Sequence, residues 1–84
     1  MELMRELSLA PGVSGSEEKI AEIITRELKD VADKIETDSM GNLIATKKGE
    51  KKAPKVMLAA HMDEIGLMVR YIDDNGFIKF SNIG

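Results

Sequence analysis

The spacing of apolar residues along this chain changes period twice. From Met1 to Ala10, Leu3, Met4 and Leu7 fall at helical intervals, and Pro11 disfavours helical geometry at Ala10, so the spacing predicts a short helix that stops there. Gly12-Val13-Ser14-Gly15 reads as a loop. Ser14 with Glu17 has capping-box spacing, and Ser16 is the alternative cap. Behind it, Ile20, Ile23, Ile24, Leu28 and Val31 form one apolar stripe, with Glu18, Glu22, Arg26 and Lys29 on the other side. That pattern predicts a helix over about residues 16–32 whose Ile20, Ile24 and Leu28 edge packs on a sheet.

The period then becomes strand-like. Lys34 to Asp38 and Asn42 to Lys47 read as a hairpin about Ser39-Met40-Gly41, with Gly41 as the left-handed residue. Lys47 to Lys52 is charged and reads as an exposed loop. Lys55-Val56-Met57-Leu58-Ala59-Ala60 is a continuous apolar run, the pattern of a strand covered on both faces. Ile65 to Ile72 and Phe77 to Ile83 flank Asp73-Asp74-Asn75-Gly76, in which Asn75-Gly76 is a hairpin signal. The expected fold class is α/β, an α+β fragment of two helices and about five strands. Two helices cannot cover both faces of five strands, and the pattern stops at Ile83-Gly84 without a capping element. The expectation is therefore part of a larger domain.

Composition narrows the function classes. Apolar residues make up 43% and charged residues 32%, which is globular and not disordered. Twelve basic residues oppose fifteen acidic ones, and without a basic stripe or arginine cluster nucleic acid is not an expected partner. No apolar run reaches the roughly 18–20 residues that span a bilayer, and the amino terminus lacks a signal-peptide core, so no membrane partner is expected. Zero cysteines exclude disulfides and thiolate metal sites, and the expected compartment is the cytoplasm. The six methionines show no ligand-like cluster and read as apolar fillers.

One histidine is present, His61, directly after the apolar run and followed by Met62-Asp63-Glu64-Ile65-Gly66. Ligands of open α/β sheets gather outside the carboxyl ends of strands. In an extended chain His61 and Asp63 point to the same side. Imidazole is the commonest metal ligand, and a neighbouring carboxylate commonly fixes its tautomer. The residues alone leave two readings open, a metal ligand or a structural histidine at a strand end.

The stretch Ala59-Ala60-His61-Met62-Asp63-Glu64-Ile65-Gly66-Leu67-Met68-Val69 closely resembles the signature of the TET-type, or glutamyl, aminopeptidases, some of which carry the old label cellulase M. Pro11-Gly12-Val13-Ser14-Gly15 with Glu17 resembles the opening loop of that family. Asp38 with Gly41-Asn42-Leu43-Ile44-Ala45 resembles its Asp-x-x-Gly-Asn hairpin, and Asp74-Asn75-Gly76-Phe77 with Ile83-Gly84 its next stretch. The resemblance implies a binuclear zinc or cobalt site that activates water for attack on an N-terminal peptide bond. It implies that His61 is a ligand to one metal and that Asp63 is a catalytic residue orienting the site; it assigns no role to Glu64. It further implies peptide substrates and homo-oligomers up to dodecamers. Residues 1–72 would belong to the catalytic domain, and 73–84 would form a hairpin leading into an inserted dimerisation domain.

A two-metal site needs further ligands and a general base, and this sequence has no second histidine. The expectation is that the segment alone binds metal weakly at most and does not catalyse, its partner being the remainder of the enzyme or a second copy. Two other classes are open to such a segment. One is a non-enzymatic association module that uses open strand edges. The other is glycoside hydrolysis, which needs two facing carboxylates, whereas only Asp63 and Glu64 lie near His61 and adjacent strand residues face opposite ways.

Overall fold

The computed structural model describes residues 1–84, in which two helices precede two β-hairpins. Helix α1 spans Glu2–Leu9 and ends as expected before Pro11, with Ala10 extended at φ −71°, ψ 137°. Helix α2 spans Glu18–Leu28, shorter than the apolar stripe suggested. Neither Ser14 nor Ser16 caps it. Its first-turn neighbour Glu17 makes no capping bond to the helix and instead accepts the Gly15 N–H. The capping-box pairing does not form, and the helix starts at Glu18, two residues later than the pattern suggested. Arg26 of α2 donates to both carboxylate oxygens of Glu6 on α1, at 2.8 and 2.6 Å, and this planar pairing ties the helices together.

Strands β1, Lys34–Thr37, and β2, Leu43–Thr46, pair antiparallel with Lys34 opposite Thr46. Strands β3, Gly66–Ile72, and β4, Ile78–Ile83, pair antiparallel with Gly66 opposite Ile83. The two hairpins turn by one design. In each, an aspartate (Asp38 or Asp73) accepts from the backbone N–H groups two and four residues on, and a glycine three residues on (Gly41 at φ +85°, Gly76 at φ +82°) takes the left-handed position. No residue other than glycine has positive φ. Asn75 keeps negative φ with its N–H bound by the Asp73 side chain, and the reversal falls to Gly76.

Asp38 also accepts from the Asn42 side chain at 2.8 Å. That bond first, and the backbone bonds from Asn42 and Met40 after it, hold its carboxyl below the ordinary value. A lowered folded-state value means that the turn is favoured above the unfolded carboxylate range, about pH 4, and that this support is lost as pH falls through the lowered value. In amide exchange, the Asn42 N–H will lose protection on acidification in the native sequence, whereas Asp38→Ala will leave it poorly protected at every pH.

The sequence predicted about five strands; four form. Val56 to Ala60 has no strand partner, and no backbone–backbone hydrogen bond falls on residues 54–63. Val56, Met57 and Leu58 are 81%, 87% and 93% exposed, the reverse of the buried placement their apolarity suggested. A strand covered on both faces needs neighbours at its edges and layers above and below it, and no part of residues 1–84 lies alongside this run. Nor does α2 pack on a sheet in the way expected. Ile20 is the only buried apolar side chain and lies against the loop at Gly12, while Ile24 and Leu28 are half-buried. The result is an α/β arrangement 66 Å long with a radius of gyration of 17.6 Å, against about 12 Å for a compact domain of this length. No helix is long and apolar enough to cross a membrane.

Candidate functional site

The site is the segment between the unpaired run 54–60 and the start of β3. His61 enters it with an exposed side chain, and its Nδ1 lies 3.1 Å from Asp63 Oδ1 and 3.0 Å from the Asp63 carbonyl oxygen. Both neighbours are acceptors, so the proton of a neutral imidazole belongs on Nδ1, where it is shared between them. Nε2 is then left with its lone pair free. This is the tautomer a metal-binding imidazole needs, held by a carboxylate of its own chain two residues on. The expected same-side placement of His61 and Asp63 is what the structure contains.

The residues between and after them face elsewhere. Met62 lines a cleft shared with Ala21 and Thr25 of α2 and with Thr37 and Leu43 of the first hairpin. Glu64 turns to the opening loop: its N–H donates to the Gly12 carbonyl at 2.8 Å, and its Oε1 accepts the Gly12 N–H at 3.2 Å. Val13 and Glu64 form an isolated parallel bridge between the two segments.

Two glycines permit this contact. A Cβ on Gly66 would lie 2.5 and 2.9 Å from the Val13 methyls, and one on Gly12 would lie 2.7 Å from Ile20 Cγ1 and 3.5 Å from the Met62 carbonyl oxygen. Gly12 is thus a close-approach residue and not only the loop residue its sequence context suggested; its buried position confirms the crowding. The clasp of Glu64 on Gly12 was not foreseen from the sequence. A glycine in each segment is the trace it leaves there, since a side chain at either position would collide with Ile20 or Val13.

No group of three histidine, cysteine, aspartate or glutamate side chains comes together anywhere in residues 1–84. His61 has the tautomer and the access that a metal ligand requires, and no further ligand cluster assembles around it. The structure brings the two predicted site residues, His61 and Asp63, together.

Comparison with known proteins agrees with this layout. The sequence model of the M42 glutamyl aminopeptidase family matches residues 41–84, just over half of the chain, with His61–Glu64 inside the match. The chain belongs to the M42 family. Lysyl aminopeptidase of Pyrococcus furiosus is 51% identical to the M42 chain over 84 residues, which is 99% of this chain and 24% of that protein. An aminopeptidase from the archaeon Desulfurococcus kamchatkensis superposes with a TM-score of 0.91 at 38% identity, covering 99% of this chain and 23% of that one. A Thermotoga maritima protein solved as an endoglucanase superposes at 0.84 with 42% identity, covering 94% of this chain and 25% of that one. The M42 chain spans about a quarter of the length of these relatives. Its elongated path recurs within longer solved chains.

Proposed function

We infer that the M42 chain supplies one metal ligand, His61, and its orienting carboxylate, Asp63, to a metal-dependent aminopeptidase that removes N-terminal residues from peptides. The observation that carries this reading is the Nδ1 contact with Asp63, which leaves Nε2 free on an exposed side chain. Two divalent ions, zinc or cobalt, would polarise the peptide carbonyl and lower the pKa of a bridging water. The other ligands and the general base are assigned to residues outside 1–84. Residues 1–72 are assigned to the catalytic domain and 73–84 to the approach to a dimerisation domain. The working enzyme is a cytoplasmic homo-oligomer, up to a dodecamer.

The glycosidase alternative is disfavoured by the same geometry. Asp63 engages His61 while Glu64 engages Gly12, so the two carboxylates do not face one another across a substrate.

The test uses the complete polypeptide that contains this segment, stripped of metal with a chelator and assayed on aminoacyl p-nitroanilides, lysyl among them. Activity should vanish on stripping and return with zinc or cobalt, and residues 1–84 alone should give none under any metal. Turnover that survives chelation, or metal-dependent turnover by residues 1–84 alone, would overturn the reading.

A further inference from the structure

The geometry points to Glu64 as a positioning residue that clamps the His61–Asp63 segment to the opening loop, an inference that rests on the metal-site reading above. Glu64 meets one residue, Gly12, with both its main chain and its side chain, so the segment and the loop are joined by two hydrogen bonds running in opposite directions. A single bond would leave the segments free to rotate about it; two do not. Beside this pair, the Val13–Glu64 bridge and the fit of Val13 against Gly66 block sliding along the chain direction.

The alternation of an extended chain does the rest. With Glu64 committed to the loop, Asp63 is directed to the opposite side, where it meets His61 Nδ1. The carbonyl of Asp63, the second acceptor for that proton, belongs to the same peptide unit as the Glu64 N–H that is bound to Gly12. That peptide plane is thus held at one end by Gly12 and presents its oxygen to His61 at the other. Fixing Glu64 fixes the orientation of an acceptor that sets the histidine tautomer. The Gly12 loop is anchored in turn, through Ile20 packed on Gly12 and through Glu17, which accepts the Gly15 N–H. The chain of contact runs from α2 through the loop to Glu64 and so to His61.

Glu64 needs only an acceptor oxygen for this role, not a negative charge. Glu64→Gln keeps an acceptor and Glu64→Ala does not, so the two variants separate positioning from charge. In the complete polypeptide, zinc affinity measured by competition with a chromogenic chelator should fall about 10–100-fold in Glu64→Ala, the usual cost of losing an outer partner of a metal site. Glu64→Gln should recover most of that loss. The loss should appear in kcat more than in KM. Crystal structures of the metal-free variants give a second readout that needs no metal. The His61 Nδ1–Asp63 Oδ1 contact should be lost in Glu64→Ala and kept in Glu64→Gln. The assignment is overturned if Glu64→Ala keeps that contact and its zinc affinity, or if Glu64→Gln is as impaired as Glu64→Ala. A wild-type polypeptide that binds no zinc would overturn the metal-site reading, and the crystallographic comparison would then decide on Glu64 by itself.

Discussion

Residues 1–84 produced on their own will show no cooperative unfolding transition as a monomer. A compact chain of 9.3 kDa exposes about 5,000 Å², and this one exposes 7703 Å². The surplus, about 2,700 Å², is of the size that obligate partners bury between them. Cooperativity arises when many apolar groups leave water together, and here Ile20 is the only buried apolar side chain. Two-stranded hairpins are marginal alone, and helices of 8 and 11 residues are below the length at which isolated helices persist. Thermal melts followed by circular dichroism should therefore slope without a midpoint, and sedimentation at micromolar concentration should show association through the exposed Val56–Leu58 run. A sharp, concentration-independent melt from a monomer would show that the segment covers its own core in solution.

How much of this could be read from residues alone follows the range of the forces involved. Both helices were legible because Pro11 and the Ile20–Leu28 stripe act over one or two turns. Both hairpins were legible because an aspartate, a glycine and the intervening strand pattern determine a reversal locally. The reversal forms where Asn75-Gly76 signals a hairpin, with the Asp73 carboxylate binding the Asn75 N–H and Gly76 in the left-handed position. The expected α2 cap does not form, because Glu17 binds the Gly15 N–H and neither serine caps the helix.

The run at Val56 to Ala60 shows the limit more plainly. Its composition states a preference for burial, but a strand exists only through its partners, and nothing in residues 1–84 pairs with it. At the site, the two-residue spacing of His61 and Asp63 was enough to place them on one side. The clasp between Glu64 and Gly12 joins positions 52 residues apart, and no local pattern encodes such a contact. Its mark in the sequence is glycine at positions 12 and 66, where a side chain would run into Ile20 and Val13.

Replacing His61 will have the largest effect on chemistry. In the complete polypeptide, His61→Ala should reduce both zinc affinity and kcat/KM by more than about 100-fold, the upper end of what loss of an outer partner costs, because it removes a ligand itself. Stability of the metal-free protein should barely move, since the only hydrogen-bond partner of the imidazole within residues 1–84 is Asp63 and the side chain contributes no buried apolar surface here. Asp63→Asn provides the graded comparison. The amide can present an N–H toward Nδ1, which would favour the tautomer with the proton on Nε2 and so block the metal-binding lone pair. The Asp63 carbonyl oxygen stays in place in that variant and opposes the switch. The expected loss for Asp63→Asn is accordingly smaller, about 10–100-fold. Metal content by mass spectrometry, chelator competition and peptide turnover measure the three effects on the same preparations. Full metal content and undiminished turnover in His61→Ala would remove His61 from the site. An Asp63→Asn variant more impaired than His61→Ala would mean that Asp63 does more than orient the imidazole, and that the carboxylate itself takes part in the reaction.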